Sequence, residues 1–303
     1  MSQGQTDYDL HWKIAITQYF RAFLEFFFPR IAAEIDWGRA WAPLDKELLP
    51  GRGDDEVGAR EADLLFRVYR NTGEESWVLI HLEIQATRQA LQVFEERVWV
   101  YAARTRLRYH RKVCSLAILA DLSPSWRPHC FLEELWGCRM SLSFPTVKLL
   151  DLEKTLGPLS DNPFSWIVRF HLAAKRSKAG GVQRRSYKRA YLLAFWRAVR
   201  QGLLDRKDVN KLRTIENMID GLLSLSHEND KLFRKELERD EEIGQMKKQM
   251  PRLTMFERWA REDALEEGRR WAEQERQRAD EERQRAERFA QKLRELGVDP
   301  GSL

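Results

Sequence analysis

Apolar positions recur at helical spacing between residues 10 and 28, where Trp12, Ile16, Tyr19, Phe20, Phe23 and Phe27 fall on one face. Pro29 closes the run, so the pattern predicts one helix there. Two alternating runs follow, 62–70 and 76–85, separated by a polar segment containing Gly73, which is a hairpin signal. Helical periodicity returns over 91–109. The nearly all-apolar run 113–120 then reads as a strand buried on both faces. Residues 141–150 read as a further strand, placed at an edge by Pro145. From about 163 the pattern is helical. It includes a basic amphipathic helix at 183–201, another at 206–224 entered through Asp205 as N-cap, and a long charged helix over roughly 252–296. The polar, Gly-rich stretch 50–58 reads as a loop.

In the last helix ERQRA occurs at 275 and again at 282, a seven-residue step. Leu265, Ala272, Ala279, Ala286 and Leu293 share one heptad position, but Gly268, Glu275 and Glu282 occupy its companion before Phe289 and Leu296. That seam is a weak coiled coil, and a solvated helix laced with i,i+4 ion pairs is the competing reading. A homo-oligomer formed through this helix is one expectation.

Composition narrows the class. Of 303 residues, 43% are apolar and 33% charged, which fits a folded chain with a substantial core. No apolar run approaches the ~18 to 20 residues of a membrane span, and the N-terminus lacks a basic segment followed by an apolar one. The expectation is a soluble, cytoplasmic protein that does not engage a membrane. Cys114, Cys130 and Cys138 have no CxxC spacing, which disfavours a disulfide framework or a zinc cage. No Walker loop, GxGxxG or GxSxG is present.

The net charge of +5 is unevenly spread. Residues 165–215 hold 14 Lys/Arg against Asp205 and Asp208, and residues 88–112 hold seven against Glu95 and Glu96. Such excess suits a polyanion, or else a solvated helical surface that resists self-association.

The hairpin carries the candidate chemistry. Pairing its strands symmetrically about Gly73 sets Asp63 opposite Glu83, Glu61 opposite Gln85 and Leu65 opposite His81, all on one face. The other face, from Leu64, Phe66 and Val68 to Val78, Ile80 and Leu82, is apolar. Two opposed carboxylates repel, and a cation between them relieves the repulsion. Their hard oxygens suit Mg²⁺, with the backbone carbonyl of Ile84 as a further ligand. A metal so held acidifies a water and stabilises the charge that builds on a phosphodiester. The competing reading is an exposed acidic patch on a half-solvated sheet. His81 shares the face, either near the metal or as a hydrogen-bonded sheet histidine.

The helix after the hairpin puts Arg97, Tyr101, Arg104, Arg108 and Arg111 in one stripe, beside an apolar stripe of Phe94, Val98 and Ala102 that packs on the sheet. A basic stripe beside a metal site suits positioning of a phosphate backbone. Alternatively it pairs with Glu95, Glu96 or other acids.

A strand aspartate followed on the next strand by Glu-x-Gln, in READLLFRV and VLIHLEIQ, resembles the PD-(D/E)XK nuclease superfamily, and most closely its recombination-promoting (Rpn-type, putative transposase) branch. DYDLHWK, the Tyr101 and Arg104 pair, ELWGC, FPTVKLLDL, NPFSWIVRFHLAA and IENMIDGLLSL extend the resemblance to about residue 235. It implies an α/β, restriction-endonuclease-like mixed sheet flanked by helices, followed by a helical region and a long charged C-terminal helix. The expected domains are a nuclease-like 1–150, a basic helical 151–245 and a charged tail 246–303. The implied activity is Mg²⁺-dependent (or Mn²⁺-dependent) endonuclease cleavage of double-stranded DNA, associated with recombination or mobile elements. Asp63 and Glu83 bind the metal, Gln85 stands at the usual lysine position, and Arg97, Tyr101, Arg104 and Arg108 hold DNA. A further acid from the N-terminal region is either Asp9 or Glu25. The alternative is a non-catalytic DNA-binding or scaffold protein that retains the nuclease-like fold, which the glutamine at position 85 favours.

Overall fold

Five strands form a mixed sheet in the order β1-β2-β3-β4-β7: β1 Ala42–Leu44, β2 Asp63–Tyr69, β3 Glu75–Glu83, β4 Lys112–Leu119 and β7 Thr146–Lys148. The computed structural model describes residues 3–44, 63–73, 75–83, 91–177, 181–249 and 254–295. β1, β2 and β3 pair antiparallel, whereas β4 pairs parallel with both β3 and β7. Parallel neighbours need a crossover, and α4 (Leu91–Tyr109) supplies it between β3 and β4. Both faces of the sheet are covered. On one, Phe94 and Val98 of α4 pack on Ala117 and Leu119 of β4, while Tyr101 and Tyr109 cover Leu65 and Trp77. On the other, α1 (Gln3–Gln18), α2 (Phe20–Phe27) and α3 (Pro29–Glu34) supply an aromatic layer in which Phe20 stacks on Phe66 at 3.9 Å. β4 is therefore buried on both faces, as its uniform apolarity predicts: Leu116 to Leu119 are fully buried.

Three element boundaries differ from the sequence pattern. The run 10–28 divides at Tyr19, whose backbone (φ −124°, ψ 43°) leaves the helical region and separates α1 from α2, and Pro29 opens α3 as its first residue. The expected strand 141–150 is split by Pro145. β6 (Cys138–Ser143) lies before it, β7 lies after it as the sheet's edge strand, and the chain coils into α5 (Leu149–Leu152). Among the described residues β6 pairs only with β5 (Cys130–Leu135), in a separate ribbon closed by Trp136 and Gly137, at φ 51° and 82°. Two positive φ values define the two-residue hairpin loop. Finally, α8 (Val209–Leu222) starts three residues later than expected. Asp208 caps it by accepting from the Lys211 N–H at 3.0 Å, and Asp205 instead accepts from the Lys207 N–H in the preceding turn.

The helical segment comprises α6 (Pro163–Arg176), α7 (Val182–Arg200), α8, α9 (His227–Glu238) and α10 (Glu241–Gln249). Trp12 of α1 meets Phe164 and His171 of α6, and Thr214 of α8 donates to Gln18 of α1 at 2.7 Å. Residues on both sides of position 150 thus share one core within the compact unit Met1–Met246. The second unit, Lys247–Leu303, contains α11 (Thr254–Glu295). Along it run the ion pairs Arg258–Glu262, Glu266–Arg270, Glu275–Arg278 and Arg283–Glu287. No described helix is long and apolar enough to cross a membrane.

Candidate active site

The turn between β2 and β3 sets the geometry of the candidate site. The Gly73 N–H donates to the Arg70 carbonyl at 2.7 Å, and Gly73 takes a φ of 84° as the last residue of the turn. A type I turn closed by a left-handed glycine centres the hairpin on Thr72 rather than on Gly73. Paired residue numbers accordingly sum to 144: Asp63 pairs with His81, Leu65 with Leu79, and Tyr69 with Glu75. This corrects the expected pairing of Asp63 with Glu83. A change of two in the sum preserves the faces, so Asp63, His81 and Glu83 keep one parity. Asp63 and Glu83 become diagonal neighbours, about 7–8 Å apart at Cα, instead of directly opposed. β2 begins at Asp63 and β3 ends at Glu83, so both residues lie at the same end of the sheet.

The described part of that face is graded, with Arg67 and Tyr69 half-exposed. Leu65 and Trp77 have the parity of Asp63 and are buried under α4. The side chains of Asp9, Asp63, His81 and Glu83, together with Ile84 and Gln85, lie outside the described residues. Glu25 lies on α2 and pairs with Arg21 at 2.7 Å on the exposed side of that helix.

α4 brings its basic stripe to this face in a graded way. Tyr101 packs against the Leu65–Trp77 cluster, one same-face step from Asp63. Arg97 is half-buried with its guanidinium 5.1 Å from the Phe94 ring centre, and burial lowers its pKa. Arg104 and Arg108 lie on the exposed side, with Arg108 over the ring of Tyr109. The stripe thus runs from the sheet surface out to solvent. Glu95 is engaged elsewhere. It is buried, and its carboxylate accepts from the backbone N–H groups of His129 and Cys130 at 3.1 and 3.3 Å, tying the ribbon to α4.

Buried polar groups that the sequence reading left unassigned line the same end of the sheet. Leu119 pairs with Glu83 on one side and Lys148 on the other, so Lys148 stands in the same row as Glu83, two strands away. Its ammonium donates to Asp121 Oδ2 at 2.7 Å and to the Trp126 carbonyl at 3.1 Å. Both side chains of the ion pair are only 1% exposed. A buried ammonium so engaged is committed to this pair, because releasing it would strand Asp121 without a counter-charge. Just behind, His171 accepts from Trp12 Nε1–H at 3.2 Å and meets the Ala120 carbonyl through Nε2 at 2.9 Å. Those partners fix the neutral Nε2–H tautomer, and burial lowers the pKa to about 3. These residues lie 27 and 159 positions from their partners, and no local motif announces such contacts.

Among the described residues, no group of three or more His, Cys, Asp or Glu side chains is placed to hold a metal. The donor chemistry of Asp63 and Glu83, two hard carboxylates on adjacent strands, suits a small divalent cation that keeps most of its waters. No protein-family model, curated protein or solved structure matches the chain.

Proposed function

We propose that the chain is a Mg²⁺- or Mn²⁺-dependent DNA endonuclease with a restriction-endonuclease-like fold, cytoplasmic, and acting in recombination or on mobile elements. One observation carries the reading: the hairpin register leaves Asp63 and Glu83 at one end of a mixed sheet on strand positions of one parity, and the stripe of α4 that holds Arg97, Tyr101, Arg104 and Arg108 runs from the sheet at Tyr101 out to solvent at Arg104 and Arg108. Asp63, Glu83 and the Ile84 carbonyl would hold the metal, which supplies an acidified water and neutralises charge on the phosphodiester. Arg104 and Arg108 hold duplex phosphates, and Tyr101 fixes the approach of α4 to β2. Gln85 orients the attacking water through its amide but cannot accept its proton.

The glutamine keeps a second reading in play, a DNA-binding scaffold that retains the fold without cleavage. The two separate in one variant. Asp63→Ala is expected to abolish metal-dependent nicking while DNA affinity, measured by fluorescence anisotropy, stays within about threefold. Equal loss of binding and cleavage by a folded variant would count against the assigned role.

A further inference from the structure

Away from the sheet, the chain after α5 joins α6 and α7 in lining a cleft of about 300 Å³. Leu156 and Leu172 give it an apolar side. Arg169 and Arg176, two turns apart on α6, face Tyr187 and Tyr191, one turn apart on α7. The two arginines differ in how their charge is met. Arg176 forms a two-pronged ion pair with Glu153. Arg169 is half-buried and bonds only neutral acceptors, the carbonyls of Ser165 and Gly157. Among the described residues no carboxylate pairs with it.

A guanidinium carries five N–H donors, and those two carbonyls engage two of them. Removal from water without a counter-ion is unfavourable, and burial accordingly lowers the pKa of Arg169. The Tyr187 hydroxyl accepts from Gln183 at 3.4 Å, which leaves its own proton to donate. The cleft thus combines one net positive charge, guanidinium N–H groups that no described protein acceptor meets, and an apolar wall. A phosphate group has the charge and the acceptor oxygens to fill those donors, and Arg is the side chain suited to it.

We propose that this cleft binds a phosphomonoester, with its phosphate on Arg169 and the Tyr187 hydroxyl and its organic part against Leu156 and Leu172. The phosphate belongs either to a free mononucleotide-sized molecule or to the end of a nucleic-acid strand. Nothing in this proposal depends on cleavage at the sheet.

Isothermal titration of the full chain with adenosine monophosphate, adenosine, and a short oligonucleotide with or without a 5′-phosphate tests it. Binding of the monophosphate but not of adenosine is expected for the free-ligand source. Tighter binding of the phosphorylated oligonucleotide, without binding of the monophosphate, assigns a strand end. In either case Arg169→Gln is expected to weaken binding roughly tenfold or more. Because Arg169 also clamps two carbonyls, Tyr187→Phe provides a test that removes only a hydroxyl, with a loss of about threefold to tenfold expected. The proposal is overturned if no phosphorylated ligand binds, or if the phosphate-dependent affinity is the same in both variants as in the parent chain.

Discussion

His171 shows how much a single side chain can determine here. It is fully buried, accepts from one indole and donates to one carbonyl, and protonation would break the first bond and place an uncompensated charge in the core. Its folded pKa of about 3 lies below the ordinary value of 6.5. The unfolded chain therefore binds the proton more readily, and the contribution of His171 to stability is complete above pH 6.5 and lost as pH falls from there toward 3. Between pH 7 and pH 5 the loss is about 2 kcal/mol. Urea unfolding at the two pH values should show it, and His171→Gln should flatten the difference. An unchanged slope in that variant would assign the pH dependence to other groups. Nothing in the sequence singled out His171, since its partners Trp12 and Ala120 come from distant elements. Asp121 and Lys148 escaped notice for the same reason.

At the scale of elements, the most legible segments were those whose own pattern decides them. The helix 91–109 and the buried strand β4 appear within one residue of their expected bounds, because a continuous amphipathic or apolar run has one way to bury itself. Turn chemistry was less legible. Gly73 correctly marked the hairpin, but which turn position it fills sets the register, and a glycine following a type I turn moves the pairing centre by one residue. The β5–β6 ribbon was missed because its loop is Trp136-Gly137 instead of the usual Asn-Gly or Asp-Gly. Capping was misplaced by three residues, because Asp205 accepts within the preceding turn and Asp208 takes the cap. Asp208→Ala should cost about 1 kcal/mol through loss of the α8 cap, whereas Asp205→Ala should stay within about 0.5 kcal/mol. Thermal unfolding of the two variants distinguishes them, and the opposite order would return the cap to Asp205.

At the scale of the molecule, the summed charge of 165–215 misleads. Its basic residues meet acids that lie outside that window: Arg176 with Glu153, Lys188 with Asp220, Arg189 with Asp240 and Arg197 with Glu242. Arg184 is buried and donates to the carbonyls of Ala174 and Ser177. Much of that excess therefore holds α6–α10 together, and α4 is the better candidate for a surface that follows a duplex backbone. Replacing Arg104 and Arg108 together by Gln should lower duplex affinity about tenfold or more near physiological salt and reduce the salt slope by about two. Replacing Arg189 and Arg197 should leave that slope within about one unit. A larger effect from the second pair would move the binding surface to α7.

The proposed cleavage site rests on Asp63 and Glu83, at the end of the sheet where β2 begins and β3 ends. Supercoiled-plasmid nicking in Mg²⁺, Mn²⁺ or EDTA, run beside Glu83→Ala, tests it most directly. Nicking that requires the divalent metal and vanishes in the variant is expected. Absence of cleavage with either metal, alongside salt-sensitive DNA binding by both proteins, would contradict it and leave the scaffold reading, with Gln85 marking the missing activity.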